Sequence, residues 1–436
     1  MSSAKLIMNF ELTPSSHQLA DVRARGGYTT LSRVLREMRP EQVTQEVAAS
    51  GLLGHGGAAF PAGRKWGVIK LHDEQPHYLC ANADEGEPGT FKDRWILEHA
   101  PHQLIESMLI AAYALQVRHA FVYIRGEFDL PYRRLAAAVE EAYVANLLGA
   151  RILGHDFACD LVVYRGAGSY VCGEASGLLT SLEGKKGTPR NRPPRLTVRG
   201  LMQRPTVVNN VETLAHVAPI LAMGAPAYRR IGTVKSPGTQ LVSISGHVQR
   251  PGVYELAYGT PLRRFIDVQC GGVLGNQALK CIVPGGISTK VLTAAEITTL
   301  TYDHAALAAA GSSLGSGGLI VIAEGTCMVR LLQVMLRFYH HESCGQCTPC
   351  RDGMGWMHRI IDRIVAGRGQ AGDIEQLLRI SQANDGSTIC GMGDAAGYAA
   401  VGIIAKYRHE FEYFIAQKRS MWGGRLDLTH EANAYA

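Results

Sequence analysis

Three cysteines stand two residues apart in ESCGQCTPC: Cys344, Cys347 and Cys350. Thiolates at this spacing can wrap one corner of a four-iron cluster, but they leave the fourth iron without a ligand. Cys390, in STICGMGD, is the best-placed fourth ligand, downstream of one helical stretch and just ahead of another. Three other chemistries each require something absent here. A c-type haem needs a histidine after C-x-x-C, and Thr348 and Arg351 stand there instead. A structural zinc site usually pairs two C-x-x-C hooks, and there is no second hook. A disulfide fits poorly with three close cysteines in a chain that shows no export signal. The other six, Cys80, Cys159, Cys172, Cys270, Cys281 and Cys327, lie in apolar or Gly-rich settings without paired spacing and read as buried small hydrophobes.

Upstream, two loops carry residues suited to an organic cofactor. Gly51, Gly54, Gly56, Gly57 and Gly63 crowd the stretch from Ser50 to Gly67. Glycine admits positive φ and lets backbone N–H groups approach a phosphate or a flat ring, and Lys65 supplies a matching charge. A flexible surface loop would have the same composition, so the sequel decides. His77 to Ala81 (HYLCA) reads as a buried strand that runs into NADEGEPGTFKDR, Asn82 to Arg94. A strand ending in a polar loop ahead of a helix is where open α/β sheets bind ligands. Asn82, Asp84, Glu85 and Glu87 are placed there to accept from ribityl hydroxyls, ring N–H groups or a carboxamide.

These residues need a scaffold, and the pattern supplies one. A helix through Leu104, Ile105, Met108, Leu109 and Ala112 leads to a strand at Ala120 to Ile124. A second helix through Tyr132, Leu135, Val139 and Ala142 leads to a strand at Leu161 to Tyr164. Such alternation predicts a mostly parallel sheet covered by helices on both faces. Gly166 to Gly184 is a second Gly-rich turn into a helix, without the third glycine of a dinucleotide fingerprint. The basic, Pro-rich segment that follows, with Lys185, Lys186, Arg190, Arg192, Arg195 and Arg199, lacks the interleaved aromatics of a nucleic-acid platform. Asn209 and Asn210 precede another apolar helix. From Gln240 short alternating runs turn at Arg250-Pro251-Gly252, predicting a hairpin that opens a β-rich module. A helix through Val329, Leu332, Met335, Leu336 and Tyr339 then reaches the cysteine loop. Asp373 with Gln376 predicts a capping box, and a last helix puts Ala400, Ile404, Tyr407, Phe411 and Phe414 on one face.

Composition narrows the class. The 436 residues carry 44 Lys and Arg against 38 Asp and Glu, too small an excess to argue for nucleic acid or a membrane surface. The N-terminus lacks the apolar core of a signal peptide, and the run Met108 to Leu115 is too short to span a bilayer. A cytoplasmic protein is expected, membrane-associated only through partners, with no direct insertion.

Seven ordered stretches, GHGGAAFPAGRKW, NADEGEPGTFKDR, GSYVCGE, SLEGKKGTPR, PTVVNNVETLA, ESCGQCTPCRDG and TICGMGDAA, resemble the flavoprotein subunit of the NADH dehydrogenase module of respiratory complex I. Its relatives are the diaphorase subunits of NAD-linked hydrogenases and formate dehydrogenases. The resemblance, from about Ser50 to Phe414, implies an α/β fold: a Rossmann-like FMN- and nucleotide-binding domain over 46–235 and a β-grasp-like (SLBB) insert over 236–325. Over 326–436 it implies a helical bundle with a 4Fe-4S cluster, and residues 1–45 remain as an N-terminal arm. It also implies that NADH passes a hydride to FMN, whose electrons reach the cluster singly. Carried over by position, the isoalloxazine and phosphate fall to Gly54, Gly56, Gly57 and Lys65. Asn82, Asp84, Tyr170, Gly173, Glu174, Asn209, Asn210 and Thr213 complete the site, Phe60 lies beside the nucleotide, and Glu87 approaches the nicotinamide amide.

The sequence departs from the family at identifiable places. His55 stands for an arginine and Ala59 for a glycine. Ala175 replaces a glutamate that accepts from the adenosine ribose, while Val68 and Arg195 replace aromatics near the adenine. Losing a carboxylate and gaining an arginine suits a 2′-phosphate, so NADPH joins NADH as a candidate substrate. A second class of function is an electron-relay or assembly paralogue that keeps FMN and cluster but no longer oxidises a dinucleotide. A third, a β-grasp binding module, requires the Gly-rich loops to be empty. One cluster needs a further electron acceptor, and the resemblance implies two partners: a thioredoxin-like 2Fe-2S subunit and a larger multi-cluster iron–sulfur subunit.

Overall fold

Four parallel strands form the sheet at the heart of the computed structural model, which describes residues 4–69 and 76–423. They are β1 (Tyr78–Ala83), β2 (His119–Ile124), β3 (Asp160–Arg165) and β4 (Thr206–Asn210), in the order β3-β2-β1-β4. Runs of β-branched and aromatic residues covered on both faces give this kind of strand. The chain leaves β1 for β2 and β3 on one side, then returns to place β4 on the other. That reversal opens a crevice at the carboxyl ends of β1 and β4, where Asn82 pairs in register with Asn210. The helix Pro101–Ala114, which contains most of the most apolar run, is packed almost wholly inside the protein. No helix among the described residues is long and apolar enough to cross a membrane.

The N-terminal arm is docked: Leu6, Ile7, Leu31 and Val34 are buried in the same core as β1 and β2. The helices Leu19–Ala24 and Thr29–Glu37 are six and nine residues long, too short for periodicity to announce a core. The backbone N–H groups of Leu6, Ile7 and Met8 converge on the buried carboxylate of Glu255 at 2.7 to 3.2 Å, tying the N-terminus to the β-rich module.

That module begins with the antiparallel pair Thr239–Gly246 and Gly252–Ala257. Gly318–Ala323 joins it in parallel, and Leu279–Val283 and Leu292–Thr293 complete a mixed five-stranded sheet over a separate core. Helices Met328–Glu342, Thr348–Arg363, Asp373–Asn384 and Met392–Gln417 then pack together, with Ala400, Ile404, Tyr407, Phe411 and Phe414 all buried on the predicted face. The capping box at Asp373 does not form. Its carboxylate instead takes the Gln370 N–H at 2.9 Å and the Arg363 guanidinium, a charged donor that the end of the preceding helix brings within reach.

Candidate functional site

The crevice beyond β1 and β4 is a cleft of about 550 Å³. Asn82, Asp84 and Glu87 enter from the end of β1 and Asn210 from the end of β4. Gly56 and Gly57 come from the Gly-rich loop, and Tyr170, Gly173 and Glu174 from the second Gly-rich turn. Ser288 and Ser316 of the β-rich module and Cys390 of the bundle close the far side. At two glycines a side chain would crowd its neighbour. A Cβ on Gly56 would stand 3.2 Å from the Asn210 Cβ, and one on Gly173 would stand 3.3 Å from the Asp84 carbonyl. Gly57 has φ +111, which a side chain would strain.

The polar groups of the cleft are partly spoken for. The Asn82 amide donates to the Gly173 carbonyl at 2.8 Å, and its oxygen accepts the Asp84 N–H at 3.0 Å. Asp84 Oδ2 is buried without a partner. Burial pushes this carboxyl up to about 7, with Arg125 opposing and Glu127 and Glu342 adding to the rise. An orphaned acceptor on the wall of a cleft fits a ligand that brings a hydroxyl or ring N–H. Glu87 accepts from the Tyr170 hydroxyl at 2.6 Å and the Ser288 N–H at 2.8 Å; burial raises its pKa, and these bonds hold it back.

Several expected contacts lie behind the wall instead. Asn209 turns away from the cleft and accepts the Trp66 indole N–H at 3.1 Å. Thr213 accepts the His55 N–H at 2.8 Å, and the Gly54 N–H donates to the Phe60 carbonyl at 3.0 Å. Lys65 donates to the Val208 carbonyl at 2.8 Å, and burial with the nearby Arg192 brings its pKa down to about 8. The Phe60 ring is 44% exposed beside the loop. Glu85 borders the cleft, but its carboxylate caps the helix Lys92–His99, accepting the Asp93 and Arg94 N–H groups at 2.8 and 3.0 Å. Glu174 faces the cleft, but one oxygen caps the helix Ala175–Leu182 through Ser176 and Gly177 N–H, and the other accepts from Arg192 at 2.8 Å.

Cys344, Cys347 and Cys350 lie where the helix Met328–Glu342 gives way to Thr348–Arg363, and Cys390 just before Met392–Gln417. Cys344 and Cys347 lie close enough to Cys350, and Cys344 and Cys350 close enough to Cys390, to oppose the ionisation of those two. Burial and then Cys347 and Cys344 raise Cys350, while burial, relieved only by the Met392 N–H, and then Cys350 and Cys344 take Cys390 to about 11. Cysteine sulfurs gathered from two separate loops are the donor set that a positively charged metal cluster takes. Of the remaining cysteines five are buried, and burial pushes Cys80, Cys159, Cys270 and Cys281 up to about 12, as inert core thiols require.

The Nuo51 FMN-binding domain family matches residues 47–219, the SLBB domain residues 240–321, and the NADH-ubiquinone oxidoreductase-F iron-sulfur binding region residues 330–414. The second F subunit of NADH-quinone oxidoreductase in Rhizobium meliloti (strain 1021) is 45% identical over 414 residues, 95% of this chain and 98% of that protein. The chain belongs to the family of NADH-quinone oxidoreductase F subunits. The F subunit of Mycobacterium tuberculosis (strain ATCC 25618 / H37Rv) is 47% identical over 389 residues, 88% of this chain and 87% of that protein. A solved NAD+-reducing [NiFe]-hydrogenase in the H2-reduced state has a TM-score of 0.81 at 34% identity, covering 94% of this chain and 68% of that one. This member of the F-subunit family is thus an electron-input flavoprotein of the complex I type, with FMN-binding and 4Fe-4S regions.

The flavoprotein also holds a charged cluster that sequence reasoning missed. Behind the Gly-rich loop, Lys92 is fully buried between Asp93 at 2.9 Å and Glu212 at 2.7 Å. The His55 and His216 rings stack at 4.8 Å and 11°, each with a nitrogen 3.9 Å from Glu212. This trio has metal-ligand residue types, but imidazole lone pairs lie in the ring planes, and two stacked parallel planes cannot both contain one ion. The Lys92 ammonium on Glu212 opposes a cation further. His55 Nε2 faces the Thr239 carbonyl at 3.1 Å and so carries the proton; burial keeps the ring neutral, its pKa down at about 3. The sequence signal was the departure at His55 itself. Of the other departures, Arg195 and Val68 are exposed and Ala175 begins the helix that Glu174 caps.

Proposed function

We propose that this chain takes a hydride from a pyridine nucleotide, or returns one, in the cleft at β1 and β4, and sends electrons out singly through the four-cysteine centre. FMN, when bound, supplies that two-electron to one-electron chemistry. The observation that carries the reading is Cys390, which lines the same cleft as Asn82, Asp84 and Glu87. Gly56, Gly57, Asn82, Asp84, Tyr170, Gly173 and Asn210 would hold the flavin directly. Gly54, Lys65, Asn209 and Thr213 would brace the loop and strands behind it, and Glu174 would fix the helix at its edge. Phe60 would flank the nucleotide, while Cys344, Cys347, Cys350 and Cys390 would hold the 4Fe-4S cluster. The electrons would leave to a thioredoxin-like 2Fe-2S subunit and a larger multi-cluster subunit.

Glu87 would orient the nicotinamide amide, because a buried carboxylate has acceptor capacity beyond the Tyr170 and Ser288 donors. Glu87→Gln loses the charge and places an amide N–H among donors. The expected result is a fall of roughly 10- to 100-fold in kcat/KM for the nucleotide, with flavin content unchanged, read by steady-state kinetics and flavin absorbance.

The adenosine end favours a phosphorylated dinucleotide. Ala175 offers no carboxylate to repel a 2′-phosphate, and Arg195 is an exposed cation on the basic loop. Stopped-flow reduction of the flavin is expected to go at least as well with NADPH as with NADH, with roughly tenfold tighter binding, about 1.4 kcal/mol. Faster reduction by NADH at micromolar affinity would overturn that preference, and reduction by neither would favour an electron-relay paralogue.

A further inference from the structure

One contact joins the cleft to the cysteine loop. The Tyr170 backbone N–H donates to the Glu342 carboxylate at 3.0 Å, while the Tyr170 hydroxyl donates to Glu87 at 2.6 Å. The Tyr170 ring stands edge-on to Phe338 at 5.1 Å and Tyr339 at 6.4 Å, both on the helix that Glu342 terminates. Ser343 follows, its hydroxyl 3.3 Å from the Cys350 sulfur, and then Cys344. A single residue of the cleft is therefore gripped at its hydroxyl by the nucleotide-facing carboxylate and at its backbone by the residue that launches the cysteine loop.

We propose that Glu342 is a positioning residue for electron transfer: it clamps the Tyr170–Gly173 turn against the cysteine loop, and its charge lowers the potential of the centre there. This rests on the reading that the cleft holds FMN and the four cysteines hold a cluster. The mechanical half follows from the bond pattern. Gly173 ends that turn, and its carbonyl accepts the Asn82 side-chain amide at 2.8 Å, so a shift of the turn disturbs a hydrogen bond on the cleft wall. The electrostatic half follows from position. A carboxylate two residues from Cys344 opposes any electron added to the centre, and it already acts on the cleft, where it helps raise the Asp84 carboxyl.

The test compares Glu342→Gln, which keeps an acceptor for Tyr170 but loses the charge, with Glu342→Asp and Glu342→Ala in the purified holoprotein. Iron and flavin contents of the wild-type protein come first, since their absence would overturn the cofactor reading itself. In a filled protein, redox titration followed by electron paramagnetic resonance should show Glu342→Gln favouring the reduced centre about tenfold at a fixed potential, a rise of about 59 mV for one electron. Glu342→Asp should stay near wild type. Glu342→Ala should show the same rise and release flavin about tenfold more readily on dilution. An unmoved potential in Glu342→Gln, or an equal rise in Glu342→Asp, would overturn the inference while leaving the cofactor assignment intact.

Discussion

Cys390→Ser protein should lose the magnetic signal of a reduced four-iron cluster and most electron transfer to a partner subunit, yet keep its flavin. Cys344, Cys347 and Cys350 share one short loop and can serve three irons, whereas Cys390 arrives from a separate loop ahead of Met392–Gln417. Without it the fourth iron of such a cluster would have no cysteine ligand. Loss of a partner that merely orients a metal ligand costs 10- to 100-fold in metal affinity or activity, so loss of a ligand should cost at least ~100-fold in transfer to the next carrier. A soluble dye that takes electrons at the cleft should still turn over. Cys80→Ser is the matched control: its thiol is fully buried and pushed up to about 12, and its loss should leave iron content unchanged. Full iron content and an unaltered signal in Cys390→Ser would remove Cys390 from the ligand set.

The same contrast explains what was legible in the sequence. Three ligands in nine residues are a local pattern, and so are the apolar runs of β1, β2 and β3, which parallel strands need over their whole length. Asn82, Asp84 and Glu87 could be placed together because a buried strand running into a polar loop marks the ligand end of an open α/β sheet. Adjacent residues of a strand face opposite ways, so Asn209 and Asn210 do not share the cleft: Asn210 faces it, and Asn209 meets Trp66. Short helices such as Leu19–Ala24 gave no usable period, so a packed segment read as an arm. Glu85 and Glu174 looked like ligand-binding acids, yet each satisfies the N–H groups of a helix start, a use that spacing does not separate from ligand binding. The Lys92 cluster was out of reach for a different reason. It unites residues 55, 92, 93, 212 and 216, and no window of sequence holds them together.

Lys92→Met should destabilise the protein by ~3–5 kcal/mol, because it strips the counter-charge from two buried carboxylates while leaving them in place. Lys92 is wholly buried; burial acts to lower its pKa, but Asp93, Glu212 and Glu85 together outweigh it and the net shift is upward. For Glu212 burial acts to raise the pKa from 4.5, but the Lys92 ammonium leads the opposing interactions that hold the group at about 2. A carboxyl depressed in the folded state contributes stability above its unfolded pKa and loses it as pH falls toward the folded value. Wild-type protein should therefore lose this contribution between about pH 4.5 and 2. In Lys92→Met the burial acts without its main opponent, the Glu212 pKa rises, and the sign reverses: relative to wild type the variant gains stability as pH falls. Urea midpoints of the holoprotein at pH 7.5 and 5 should show the gap narrowing at the lower pH. Adding Glu212→Gln to Lys92→Met should recover part of the loss, since an amide can still accept the Leu241 N–H that Glu212 now takes at 2.6 Å. A Lys92→Met midpoint equal to wild type, or a gap that widens at pH 5, would mean that the Lys92 ammonium is not the group that compensates these buried carboxylates.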